Sequence, residues 1–197
     1  MAKTPKVWSL LIQCLGASAC AELARRGYHP SHQPPQDPFD IPQGAVAKIS
    51  IIDSTLRVNK LPSKDLVLPQ VPGFDFFPTT PAWSFFVESS TGERAIFDLG
   101  VPPNFTESFS PALAERIQAF GWDVSVEKHV VDVLREHGVS PKTVGSIIWS
   151  HSHWDHIGDP STFPSSTDLI VGPGFKENML PAYPTDPKSL VKESYFE

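Results

Sequence analysis

From Val46 to Ile52 the chain is β-branched and alternates toward a polar stop at Asp53-Ser54, which predicts a strand. A second strand is predicted from Ala82 to Glu88 and a third from Arg94 to Leu99. The turn-forming Ser89-Ser90-Thr91-Gly92 between them makes the pair a hairpin. Between the first two strands, Leu61 to Thr80 is broken by prolines and reads as surface loop. Helical spacing follows. Ser110-Pro111 is a cap with proline at the first helical position, Leu113, Ile117 and Phe120 share a face, and Gly121 is the stop. Ser125 caps a second predicted helix carrying Val130, Val133, Leu134 and His137, ended by Gly138 and Pro141. Val144 to Trp149 reads as a buried strand and Asp168 to Val171 as a short one. The order β-β-β-α-α-β-loop-β predicts a layered α/β domain whose strands deliver chemistry at their C-terminal ends.

The 197 residues suffice for one domain with a real core, and 40% hydrophobic against 19% charged residues is a globular balance. A net charge of -6 argues against nucleic acid or an anionic membrane surface as a partner. Beyond the N-terminus no stretch approaches the ~20 apolar residues of a membrane span. Residues 1–44 are expected to stand apart from a domain at 45–197. Lys3 and Lys6, the apolar run Val7 to Leu15 and Ala17-Ser18-Ala19 resemble a secretory signal. Gln13, Glu22, Arg25 and Arg26 instead favour an amphipathic helix stopped at Gly27, hence a cytoplasmic protein with secretion as the alternative. His29 to Pro42 is a proline-rich linker, and Cys14 and Cys20 read as free thiols.

Directly after the predicted strand comes Ser150-His151-Ser152-His153-Trp154-Asp155-His156, with three histidines and an aspartate in six positions. Imidazole nitrogen and carboxylate oxygen together suit Zn²⁺, and a set without thiolate suits a catalytic site better than a structural one. His151 and His153, two apart in extended backbone, point the same way and can share one ion. Asp155 and His156 lie on the turn beyond them and can reach a second.

The pattern H-x-H-x-D-H closing a strand resembles the signature of the metallo-β-lactamase superfamily. The run Ile148 to Phe175 resembles fungal members found beside secondary-metabolite genes, and Ala95 to Gly100 resembles the family's strand leading to its aspartate and glycine. The resemblance spans roughly Val46 to the C-terminus. It implies an αββα sandwich and a zinc-dependent hydrolase of an ester, lactone, thioester or amide, with a small-molecule ester, lactone or carrier-bound thioester as the expected substrate. Position by position, it implies His151 and His153 on a first zinc and Asp155 and His156 on a second. Asp155 would also be catalytic, handling the proton of the attacking water. Asp98 would orient a ligand histidine, although an acidic strand end capping a turn explains it equally well.

The family completes its centre with a further histidine, a bridging aspartate and a final histidine downstream. After His156 this sequence has neither histidine nor cysteine. His29, His32, His129 and His137 lie upstream in linker and helix, and Asp159 beside Pro160 reads as a turn residue. The expectation is therefore the N-terminal half of the sandwich, apparently truncated, with each metal position short of ligands and an apolar sheet face left bare. Two readings follow: a hydrolase completed by a second copy or a complementing chain, or a catalytically inactive family member or interaction module. Trp83, Phe85 and Trp154 are candidates for substrate walls or, equally, for packing.

Overall fold

The structure is a computed structural model and describes residues 46–196. The expectations for residues 1–44 (the signal-like or helical segment, the linker with His29 and His32, and the thiols Cys14 and Cys20) lie outside the described residues. Among the described residues no helix is long and apolar enough to cross a membrane.

Six strands form one mixed sheet: β1 (Ala47–Asn59), β2 (Thr80–Ser89), β3 (Arg94–Phe97), β4 (Asp123–Ser125), β5 (Ser146–Ile148) and β6 (Asp168–Ile170). Their order is β4-β1-β2-β3-β5-β6; β3, β5 and β6 run parallel, and the other neighbours are antiparallel. Among the described residues five helices accompany them: α1 (Phe105–Ser108), α2 (Pro111–Ala119), α3 (Val130–Glu136), α4 (Trp154–Ile157) and α5 (Phe175–Met179).

Period-two alternation divides the sheet into two unlike faces. Ile52, Leu56 and Val58 of β1, Phe86 of β2, Ile96 of β3 and Ile147 of β5 are buried, and they join Leu113 and Ile117 of α2 and Val130, Val131 and Leu134 of α3 in one core. The intervening residues make the opposite face. Ile49 pairs across from Val87, Ile51 from Phe85, Phe85 from Phe97, Phe97 from Ile148 and Ile148 from Ile170. Ile51 is 68% exposed beside Ile52 at 6%, and Ile49, Trp83 and Ile170 are exposed as well. A continuous apolar face across five strands is the surface that a second layer of a sandwich would cover.

Four local expectations are corrected. The first strand does not end at Asp53-Ser54 but runs to Asn59 through a bulge between Asp53 and Arg57, with Thr55 at φ 61°. One tertiary and one local partner satisfy the polar pair that looked like a stop. Ser54 is buried and its Oγ–H donates to the Ala82 carbonyl at 2.8 Å, while Asp53 accepts from the Arg57 guanidinium at 2.9 Å. Ser125 does not cap a helix; it ends the edge strand β4, and α3 starts only at Val130. The Thr55 hydroxyl fixes this lead-in, accepting from the backbone N–H groups of Glu127 (3.1 Å) and Lys128 (2.9 Å). His129 and His137 are accordingly the residues flanking α3, not helix-interior positions. Phe120 lies outside the buried stripe of α2, exposed and stacked on Trp122 at 4.3 Å between ring centres. The cap of α2 is as expected: Ser110 Oγ accepts from the Leu113 N–H at 3.3 Å. The one-turn helices α1 and α5 had no periodic signal, being too short to show one.

The two faces of β1 predict opposite responses in adjacent residues. Ile52→Ala leaves a cavity in the core and is expected to cost about 2–5 kcal/mol. Ile51→Ala is expected to cost under about 1 kcal/mol. Urea unfolding followed by circular dichroism checks both; equal losses would mean that the bare face is packed in solution.

Candidate metal centre

The chemistry-bearing loop leaves the end of β5 where the parallel strands β3, β5 and β6 present their C-terminal ends. Main-chain bonds carry the pairing past the strands. Asp98 N–H donates to the Ile148 carbonyl (2.9 Å), Leu99 N–H to that of His156 (2.7 Å) and Gly158 N–H to that of Gly100 (2.9 Å). Two glycines make this approach possible. A Cβ on Gly158 would lie 2.3 Å from Leu99 Cβ, and one on Gly100 would lie 2.6 Å from Ser54 Cβ; both residues have positive φ. The loop carrying the histidines is thereby clamped against the segment carrying Asp98.

Asp98 is 4% exposed and sits at φ 61°, a conformation disfavoured for a residue with a side chain. Its Oδ1 accepts from the Ser150 N–H at 2.8 Å, and its Oδ2 accepts from Ser150 Oγ at 2.8 Å and His156 Nδ1 at 2.7 Å. Of the two earlier readings of Asp98, the geometry matches the histidine-orienting one. Asp159 has the expected turn role, its Oδ1 accepting from the Ser161 N–H at 3.1 Å.

His151, His153, Asp155 and His156 are brought together. The His151 ring centre lies 4.4 Å from that of His153 and 4.3 Å from that of His156. Asp155 and His156 sit on the single turn α4, and Asp155 Oδ2 lies 3.4 Å from His156 Nε2. Two ligands ~2.0–2.2 Å from one tetrahedral zinc stand at about that separation, so this pair fits one ion. With Nδ1 turned to Asp98, His156 has the carboxylate–histidine arrangement that fixes a metal ligand. Among the described residues no group of three or more His, Cys, Asp or Glu side chains is placed to hold an ion. The donor chemistry of these side chains fits zinc.

The electrostatics follow from crowding. Burial pushes the Asp98 and Asp155 carboxyls up, but hydrogen bonds to His156, and for Asp98 also to Ser150, bring both below the ordinary carboxylate value. Burial likewise opposes charge on His156, yet the carboxylates of Asp155 and Asp98 outweigh it and hold the ring at about 9. His151 is depressed, first by burial and then by the neighbouring His156 and His153.

Beside the loop lies a cleft of about 490 Å³. Leu56, Leu61, Ile117 and Trp122 wall it, Trp154 and Asp155 stand at its metal-centre end, and Arg116 is the cation in its lining. Of the three aromatic candidates, Trp154 lines this cleft. Trp83 and Phe85 lie on the bare face of the sheet, turned there by the pleat of β2. Ser150 and Arg116 escaped the sequence reading. Ser150 adjoins the motif but is an ordinary residue for a strand end, and nothing in helix α2 marks one arginine over another.

Comparison with known proteins places this geometry. The sequence profile of the Metallo-beta-lactamase superfamily matches residues 78–174. "Gamma-lactamase FDB1" of Fusarium pseudograminearum is 38% identical over 81% of this chain and 40% of its own length. "Metallo-hydrolase mfmC" of Annulohypoxylon moriforme is 34% identical over 85% of this chain and 45% of its own. This chain thus spans less than half the length of these curated relatives. The crystal structure of a quorum-quenching N-acyl homoserine lactone hydrolase has the same fold, with a TM-score of 0.53 at 19% identity over 76% of this chain and 55% of that one.

A pH dependence follows for the metal-free protein. The folded His156 value of about 9 lies above the ordinary ~6.5, so its stabilising contribution is complete below ~6.5 and is lost as pH rises through about 9. Zinc affinity should rise over the same window, because the metal must displace that proton. Thermal melts with and without zinc between pH 6 and 9.5 check this; parallel pH profiles in the two series would contradict it. On the sequence matches and the shared fold, this chain belongs to the metallo-β-lactamase superfamily.

Proposed function

We propose that this chain carries the first part of a metal-dependent hydrolase site, with His151 and His153 holding one zinc and Asp155 and His156 a second. The observation that carries the proposal is the line Asp98–His156–Asp155. A buried carboxylate fixes one ring nitrogen, and the other ring nitrogen and the next carboxylate converge at a separation fitting a single ion. Zinc, when bound, lowers the pKa of its water to ~7 and so supplies hydroxide at neutral pH.

The chain's own residues do the rest. Asp98 holds the His156 ring in place. Asp155, which lines the cleft, takes up the proton of the attacking water at its carboxylate. The apolar wall from Leu56 to Trp154 holds the body of the substrate and keeps bulk water from one side of the reacting carbonyl. The substrate class in this reading is an ester, lactone or carrier-bound thioester of fungal secondary metabolism. An amide belongs to the same reaction class, and the name of the Fusarium relative points to a cyclic one, which the same attack on a carbonyl opens.

A second reading, that the chain alone is catalytically inactive, rests on the absence of any three-donor group among the described residues. In that reading the chain is an inactive family member or an interaction module, whereas the hydrolase reading draws its missing ligands from a second copy or a complementing chain packed on the bare sheet face.

Zinc content and affinity of the purified chain separate the two, with His151→Ala and Asp155→Ala as controls and hydrolysis of a γ-lactone and a γ-lactam as the activity readout. The hydrolase reading expects close to two zinc per chain, lost in part in each variant, with turnover falling by about 10²-fold or more in Asp155→Ala. Weak zinc binding unchanged by either substitution would sink it.

A further inference from the structure

We infer that Ser150 is a positioning residue that extends the orienting effect of Asp98 to His151, so that one buried carboxylate sets the ring orientation of a histidine in each half of the centre. Ser150 Oγ lies 2.8 Å from Asp98 Oδ2 and 2.9 Å from His151 Nδ1. Asp98 Oδ1 accepts from the Ser150 N–H and Oδ2 from His156 Nδ1, so the carboxyl group acts as an acceptor at both oxygens. The one hydroxyl hydrogen of Ser150 therefore goes to Asp98, and Oγ has only lone pairs left for the imidazole. His151 Nδ1 must then be the donor, which places the neutral ring's hydrogen on Nδ1 and leaves a lone pair on Nε2.

The same carboxylate oxygen accepts from His156 Nδ1 at 2.7 Å. Ser150 Oγ is 3.5 Å from that nitrogen, the outer edge of hydrogen-bond range, so His156 needs no relay. The two histidines are thus held by one group through different routes: His156 directly and His151 through a hydroxyl. Ser150 can perform this role because its own N–H is also tied to Asp98, at 2.8 Å, which fixes its backbone against the carboxylate.

The relay gives Ser150 and Asp98 separable effects. Removing the hydroxyl frees the His151 ring and leaves the His156–Asp98 bond untouched, whereas removing the Asp98 carboxylate frees both. The consequence for metal binding rests on the hydrolase reading above; the tautomer itself does not.

The test uses the full chain labelled with ¹⁵N-histidine, metal-free at about pH 8, where an imidazole of ordinary pKa is neutral. Long-range ¹H–¹⁵N correlation spectra of wild type should show His151 with its hydrogen on Nδ1. Ser150→Ala should lose that state, and Ser150→Thr, which keeps the hydroxyl, should restore it. In zinc titrations of the same proteins, Ser150→Ala should weaken the ion that depends on His151 by about 10–100-fold, leave the other within about 3-fold, and be rescued by Ser150→Thr. Thermal melts of the variants separate this from loss of fold. A wild-type His151 carrying its hydrogen on Nε2, or a Ser150→Ala protein that keeps both the tautomer and the affinity, would overturn the inference. Equal weakening of both ions in a still-folded Ser150→Ala protein would also overturn it. If the tautomer depends on Ser150 as expected but no zinc binds to wild type, the hydrolase reading fails and the relay stands.

Discussion

The Asp98 carboxylate lies at a position almost closed to solvent, and its hydrogen-bond donors hold it below the ordinary carboxylate value. Such a charge is expensive to bury unless donors surround it. Here an amide N–H, a hydroxyl and an imidazole supply three, all within 2.8 Å. Every one of them comes from the segment that follows β5, so the end of β3 and the histidine loop are bound at a single point. The positive φ of Asp98 and the two close-approach glycines are conditions for that contact, since the chains could not otherwise come near enough.

The rest of the sheet serves to bring the two segments to this point. β3 and β5 are parallel neighbours, so their C-terminal ends emerge side by side, and the loops that leave them meet without a long excursion. The buried stripe of the sheet fixes their register against α2 and α3, because a one-residue slip would turn Ile96 and Ile147 out of the core. The cleft beside the loop follows from the same packing: α2 and β1 wall it with apolar residues, and Trp154 and Asp155 project from α4 at its end.

The opposite face of the sheet has no such support. Ile49, Ile51, Phe85, Phe97, Ile148 and Ile170 form an apolar surface with nothing laid over it among the described residues. That face and the pairwise donor groups fit a chain that covers less than half of its curated relatives' length. An apolar face of this kind is what the second layer of a sandwich covers.

What the sequence determined by itself was whatever its local periodicity or a compact motif encodes. The hairpin of β2 and β3, the serine-capped start of α2, the buried strand β5 and the gathering of His151, His153, Asp155 and His156 were all legible, because neighbours in the chain decide each of them. Where tertiary contacts override a local signal, the sequence misled. Asp53-Ser54 looks like a strand end until the Ala82 carbonyl on β2 claims the Ser54 hydroxyl, and Ser125 looks like a helix cap until edge pairing with β1 claims it. Only the tertiary structure decided between the two readings of Asp98, placed Trp154 on the cleft and Trp83 on the bare face, and gave Ser150 its partners. These depend on which groups meet across 52 or 58 residues of chain, and that distance is closed by packing and backbone pairing, about which a one-dimensional pattern says nothing.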